Sequence, residues 1–209
     1  MPTPNSRYDA DQLTVLQGLE AVRKRPGMYI GGVSSAGLHH LAWEILDNSV
    51  DEAMNGHASE ITLTLHKTGD TISVADNGRG IPVDKNKKTG KSGLELVLTE
   101  LHAGGKFQND GDGNYKTSGG LHGVGASVVN ALSKKLVAIV KRNGAQYKME
   151  FAEGRAKSKL LKAKAGTAVR GTGTTITFTA DPKIFPRTTF NAETLRARLE
   201  ITSFLHRGV

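Results

Sequence analysis

Apolar and polar positions repeat with two different periods along this chain, and the switches between them divide it into elements. Residues 12 to 25 place Leu13, Leu16, Leu19 and Val22 at helical spacing, with Arg23, Lys24 and Arg25 in the last turn before Pro26. Pro26 to Gly32, PGMYIGG, reads as a turn and a short extended piece. From Leu38 the period is helical again and closes at Asn55 and Gly56. In this helix Leu46, Val50 and Ala53 share one face beside Leu41, Ala42 and Ile45. Glu44, Asp47, Asn48 and Asp51 recur at i, i+3, i+4 and i+7 on another.

The period then shortens. EITLTLH, Glu60 to His66, and TISVAD, Thr71 to Asp76, alternate polar and apolar residues and predict a hairpin turned at Thr68 to Asp70. LELVLTELH, Leu94 to His102, predicts a helix with Leu94, Val97, Leu98 and Leu101 inward, and ASVVNALS predicts another marked by Val128, Val129 and Leu132. Lys135 to Arg142 and Ala145 to Glu153 read as strands turned at Asn143-Gly144, and TTITFT, Thr174 to Thr179, as one more. Asn191 caps a last helix with Leu195, Leu199 and Leu205 inward.

The connections carry the chemistry. Asp76 ends a strand and enters Asn77-Gly78-Arg79-Gly80-Ile81-Pro82, whose glycines let a ligand approach the backbone. Asp76 either starts an Asx turn or accepts from a ligand amino group. Ala103 to Gly120 is glycine-rich and too long for an idle connection, as in a lid. It ends in GGLHGVG, Gly119 to Gly125, which runs into a helix and offers backbone N–H groups to an anion. Between Leu38 and Ala58 there are four carboxylates and no Lys or Arg. That stripe is either a solvated face or one turned toward a cation, with Asn48 one turn after Glu44. Hard oxygen donors of this kind suit Mg²⁺ shared with substrate phosphates.

Composition narrows the setting. A chain of 209 residues can bury roughly 70% of its unfolded surface in one core, and no linker splits it, so residues 1–209 are expected to form a single domain. The absence of cysteine excludes disulfides and thiolate metal sites. No apolar run reaches the roughly 18 residues of a membrane span, and the start has no signal-peptide core, so a cytoplasmic protein without a membrane partner is expected. The net charge of +8 permits attraction to polyanions. Its basic residues are spread over Arg23–Arg25, Lys85–Lys91, Lys134–Lys135 and Lys157–Lys164, and 5% aromatics provide no stacking platform. Composition therefore gives no support to a dedicated nucleic-acid module.

Partial motifs fail on inspection. Gly90-Lys91-Ser92 lacks the first P-loop glycine, which falls at Lys85. Asp110, Asp112 and Asn114 start like a calcium loop, yet Tyr115 and Leu121 stand where Gly and Glu are needed. His39 and His40 have no third ligand at metal spacing, so packing or exposure accounts for them. No Ser occupies a G-x-S-x-G elbow.

The order of the signals is more specific than any one of them. An E-x-x-D-N helix, a D-N-G-R-G-I-P turn, a glycine-rich loop, GGLHGVG and G-T-G-T-T resemble the Bergerat ATP-binding superfamily of gyrases, heat-shock chaperones, histidine kinases and mismatch-repair ATPases. RKRPGMYIG, WEILDNSVDEA, NGRGIPVD, LHAGGKF and YKTSGGLHGVGASVVNAL are similar to the B subunits of bacterial type II topoisomerases, DNA gyrase and topoisomerase IV. The resemblance covers nearly the whole chain. It implies an α+β fold, a mixed and mostly antiparallel sheet with helices layered on one face, and ATP with Mg²⁺ as cofactors.

By the same resemblance, Glu44 is the general base, Asn48 the Mg²⁺ ligand, and Asp76 the acceptor for the adenine amino group, with Gly80 beside it. Gly119, Gly120, Leu121, His122, Gly123, Val124 and Gly125 wrap the triphosphate. Lys106 and Tyr115 reach it, and Thr174 supports the adenine site. Tyr8 belongs to an arm that crosses to a partner's nucleotide. Arg79, Pro82 and Arg142 form the rim where aminocoumarin inhibitors compete. Implied partners are ATP, a second copy on ATP binding, the topoisomerase A subunit in a heterotetramer, and double-stranded DNA. The chain is then an N-terminal fragment without its transducer and Toprim domains.

Two departures stand out: Asn86-Lys87-Lys88-Thr89-Gly90 replaces the family's acidic H-P-E-E-G, and no Q-T-K occurs. That loop reaches the γ-phosphate from the transducer domain, so this piece is expected to bind nucleotide, hydrolyse it weakly and stay largely monomeric. Alternatives are a mismatch-repair clamp or a histidine-kinase core. The kinase is disfavoured because it lacks RKRPGMYIG.

Overall fold

The computed structural model describes residues 16–103, 123–164 and 169–206. Helices α1 (Gly18–Lys24), α2 (Gly27–Ile30) and α3 (Ser35–Met54) lead into strands β1 (Ile61–Leu65) and β2 (Thr71–Asp76). Helices α4 (Gly93–Thr99) and α5 (Gly125–Ala131) precede β3 (Ser133–Arg142), β4 (Ala145–Ala152), β5 (Arg155–Ala156), β6 (Leu161–Lys162) and β7 (Gly173–Ala180), and α6 (Ala192–Leu205) follows. The sheet runs β1-β2-β7-β3-β4-β5, with β6 also on β4. Every pairing among the described residues is antiparallel, in keeping with the mostly antiparallel sheet that was expected.

Alternation along the strands decides which face is covered. Ile72 and Val74 of β2, Ile176 and Phe178 of β7, Leu136, Ala138 and Val140 of β3, and Met149 and Phe151 of β4 are all buried on one face. Leu38, Leu41, Ile45 and Leu46 of α3 join them in one core with Leu94, Leu98, Val128 and Val129. Burying a side chain such as Phe178 contributes about 1.5–3 kcal/mol. At the β3–β4 turn Asn143 and Gly144 both take positive φ, 53° and 68°, as a two-residue hairpin of primed type requires.

The sequence position of β7 matters for the site. It inserts between β2 and β3, pairing Ala75 with Thr175, and so brings Thr174 beside Asp76 although 98 residues separate them.

Four features depart from the sequence-based expectations. PGMYIGG contains a helical turn, because Pro26 enters at φ −60° and Gly31 ends it at φ 73°. The first helix starts at Gly18, so Leu16 precedes it, and Leu13 lies outside the described residues. Asp51, placed with Glu44 on the polar face, is fully buried. Leu205 is 72% exposed, whereas Leu195 is buried and Leu199 half-buried against the core. Asn191 does cap α6, accepting from the Thr194 N–H at 2.9 Å.

His39 is a packing residue. Its Nδ1 donates to the Ser35 carbonyl at 2.7 Å and its Nε2 accepts the Asn191 N–H at 2.9 Å, which ties α3 to the start of α6.

Candidate functional site

A cavity of about 260 Å³ opens between α3, the end of β2 and the turn that follows it. Ile45, Val74, Ile81, Pro82, Val97 and Ile176 give it apolar walls, while Asn48, Ser49, Asp76 and Thr174 supply polar groups at its base. Apolar walls with a few convergent polar atoms suit an aromatic heterocycle.

Asp76 is held by three donors. Its Oδ1 accepts the N–H groups of Gly78 at 3.0 Å and Thr174 at 3.2 Å, and its Oδ2 accepts the Ser49 hydroxyl at 3.0 Å. Burial pushes its carboxyl above the ordinary range, and the nearby Glu52 carboxylate adds to this. The bonds from Gly78, Ser49 and Thr174 oppose it. Asp76 therefore starts the Asx turn through Oδ1 and also lines the cavity.

The turn itself is pinned from both sides. Arg79 donates from Nη2 to Glu52 Oε1 at 2.7 Å and from Nε to Oε2 at 3.2 Å, and its backbone N–H reaches the same Oε2 at 3.0 Å. Arg142 donates to the carbonyls of Gly80 at 2.7 Å and Arg79 at 3.2 Å. Gly80 has φ 75°, and a Cβ there would lie 2.8 Å from the Lys141 carbonyl, so only glycine fits. The Thr174 hydroxyl adds a further tie, accepting the Ile81 N–H at 3.2 Å.

Glu44 lies one turn before Asn48 on α3. Its Oε1 meets His40 Nε2 at 2.9 Å, and the Asn48 amide donates to the Glu44 carbonyl at 2.8 Å. This orientation makes Asn48 Oδ1 the end that would ligate a hard cation, beside the Glu44 carboxylate, and the donor set fits Mg²⁺ shared with phosphates. Gly125 opens α5 directly against Glu44. A Cβ at Gly125 would overlap the Glu44 carboxylate.

Of the residues singled out in sequence, Asn48, Asp76, Gly80, Gly123, Gly125, Thr174, Arg79, Pro82 and Arg142 line this one cavity. Glu44 stands at its edge against Gly125. Val124 is the N-cap of α5 and its carbonyl accepts the Ser127 hydroxyl. Tyr8, Lys106, Tyr115, Gly119, Gly120, Leu121 and His122 lie outside the described residues.

Comparison with known proteins agrees with this geometry. The family model described as "Histidine kinase-, DNA gyrase B-, and HSP90-like ATPase" matches residues 34–184. The chain belongs to this family. Its matched span starts just before α3 and ends past β7, so it contains every described site residue. The chain is 54% identical over 207 residues to the DNA gyrase B protein of Staphylococcus epidermidis and 53% identical over 203 residues to that of Staphylococcus aureus. In both cases 97% of this chain is covered, and the chain spans only 30% of the relative's length. It also resembles the crystal structure of the 43K ATPase domain of Thermus thermophilus gyrase B in complex with an aminocoumarin. The TM-score is 0.79 at 44% identity, over 92% of this chain and 47% of that one. An ATPase fold of this family is thus the frame for the cavity.

Three residues escaped the sequence reading. Ser49 fell between the apolar and acidic faces of α3. Glu52 was counted in the acidic stripe without a role, and its partner Arg79 is far off in sequence. His40 was set aside as a poor metal ligand, yet its i,i+4 spacing to Glu44 was the available signal.

Proposed function

We propose that this chain is the ATP-binding and ATP-hydrolysing region of a type II DNA topoisomerase, from the B polypeptide of DNA gyrase before that of topoisomerase IV. The observation that carries the nucleotide reading is Asp76, a carboxylate fixed by three donors at the base of an apolar cleft. Asp76 accepts from the adenine amino group, and Ile81, Pro82 and Val97 pack on the ring. Similarity to gyrase B proteins over 97% of the chain supports the choice of enzyme class.

Glu44 is the general base that takes a proton from the attacking water, a role worth about 10² to 10⁴ in rate. His40, at 2.9 Å, holds the Glu44 carboxylate in place. Bound Mg²⁺ would neutralise charge on the phosphates, held on the protein side by Asn48. The backbone of Gly119 to Gly125 cradles the triphosphate, with Lys106 and Tyr115 reaching it and Tyr8 completing a partner's site. Arg79, Pro82 and Arg142 line the cavity mouth, the position for an aminocoumarin of the kind bound in the Thermus thermophilus structure.

In the longer polypeptide, ATP closes a homodimer, and with the A subunit this drives passage of double-stranded DNA in the cytoplasm. The decisive assay is reconstitution of the longer polypeptide with its A subunit on closed circular DNA. ATP-dependent change in linking number, lost in Glu44→Ala, is expected; an ATP-independent or absent change refutes the reading. The 209-residue chain alone is expected to bind nucleotide, hydrolyse it slowly and remain monomeric. Turnover equal to that of the longer polypeptide would refute that part.

A further inference from the structure

The net charge of this chain is confined to one ribbon. Residues 133 to 164 hold ten Lys and Arg against Glu150 and Glu153, while the remaining residues hold eighteen charges of each sign. The entire net charge of +8 therefore sits in about one-sixth of the sequence, and the fold keeps it together at one end of the sheet.

The ribbon is β3 and β4 with β5 and β6 folded back along β4. Tyr147 pairs with Lys162, and Phe151 with Ala156. Lys135 and Lys141 project from the sheet face opposite the buried Leu136, Ala138 and Val140. On the outer edge Ser158 turns inward, its hydroxyl accepting the Glu150 N–H at 2.9 Å, and exposed Lys157 and Lys159 flank it. Lys162 lies 5.9 Å over the Tyr147 ring. Among the described residues, the ribbon's ion pairs join Lys134 to Asp70 and Lys148 to Glu150, while Glu153 is occupied by Arg23 and Lys183 from elsewhere. Lys157, Lys159 and Lys162 stay exposed without a carboxylate partner there. Strand pairing thus sets Lys157, Lys159 and Lys162 along the outer edge of β4, with Lys135 and Lys141 on the open face beside it.

We infer that this ribbon is a contact surface for the phosphate backbone of double-stranded DNA. Most of its cations are lysines, compact hydrated charges that suit a polyanion without demanding bidentate geometry. Such contacts to phosphates position the duplex without reading its bases. Single strands fit less well, since the ribbon's aromatic Tyr147 is already covered by Lys162. The choice of duplex over other polyanions rests on the topoisomerase reading. Lys157, Lys159 and Lys162, which test it, do not line the nucleotide cavity.

The test is fluorescence anisotropy of a labelled mixed-sequence duplex with the 209-residue chain, at salt from about 50 to 200 mM. The variant is Lys157→Gln, Lys159→Gln, Lys162→Gln; the control removes the same charge elsewhere by Lys67→Gln, Lys87→Gln, Lys88→Gln. The ribbon variant should lose affinity by about tenfold and reduce the slope of log K against log salt by roughly 3, at about 0.9 per phosphate contact. The control should keep its slope. Wild-type affinity in the ribbon variant, or equal loss in the control, overturns the inference. So does binding to phosphatidylserine vesicles with none to the duplex. Nucleotide titration of the same variants is expected to be unchanged, which separates failure here from failure of the ATP reading.

Discussion

Ser49 donates its hydroxyl to Asp76 Oδ2 at 3.0 Å across the gap between the long helix α3 and the end of β2. The bond couples the helix bearing Glu44 to the strand bearing Asp76, the proposed adenine acceptor. Among the described residues, the other donors to Asp76 come through Oδ1, from the turn and from β7. Hydrogen bonds to a charged group contribute about 1.5–3 kcal/mol. Ser49→Ala should therefore weaken ATP-analogue binding by about tenfold, or 1.4 kcal/mol, while the fold persists. Calorimetry reads this directly, and undiminished affinity would show that the bond does not position Asp76.

The carboxyl of Asp76 also sets a pH dependence. Burial raises it above its ordinary value of 3.8, so the folded chain holds the proton more tightly than the unfolded chain does. Its contribution to stability is then fully present below 3.8 and is lost as pH rises through the raised folded value. Asp76→Asn cannot ionise and keeps an oxygen for the Gly78 and Thr174 N–H groups. In denaturant titrations without nucleotide, the stability of Asp76→Asn relative to wild type should rise with pH across that window. A difference that is flat or falls with pH would contradict the burial of this charge.

Gly125 makes a steric prediction. Its α-carbon stands so close to Glu44 that a methyl group would overlap the carboxylate, so Gly125→Ala must displace either the Glu44 side chain, the proposed base, or the start of α5. Hydrolysis in the longer polypeptide should fall by about 10² or more, since a positioned base supplies that much rate. A steady-state ATPase assay with activity near wild type would show that Glu44 tolerates displacement.

The strands and the long helices were legible in the sequence because each carries one period and one buried face. Asp76, Asn48 and Gly80 were legible because they lie in short motifs. What could not be read were relationships made by β7, whose insertion between β2 and β3 brings Thr174 to Asp76. The burial of Asp51 was hidden for a related reason, because packing around α3 extends beyond its apolar stripe. PGMYIGG was misread since Pro and Gly break long helices and equally bound a single turn. The basic ribbon stayed invisible because pairing of β4 with β5 and β6 sets its layout.

Asp76 is proposed to bind the nucleotide base and Glu44 to act in hydrolysis. Calorimetric titration of the 209-residue chain with a non-hydrolysable ATP analogue and Mg²⁺, on wild type, Asp76→Ala and Glu44→Ala, tests it most directly. Asp76→Ala should abolish measurable binding, and Glu44→Ala should largely retain it. Binding that survives in Asp76→Ala and is lost in Glu44→Ala would contradict the account.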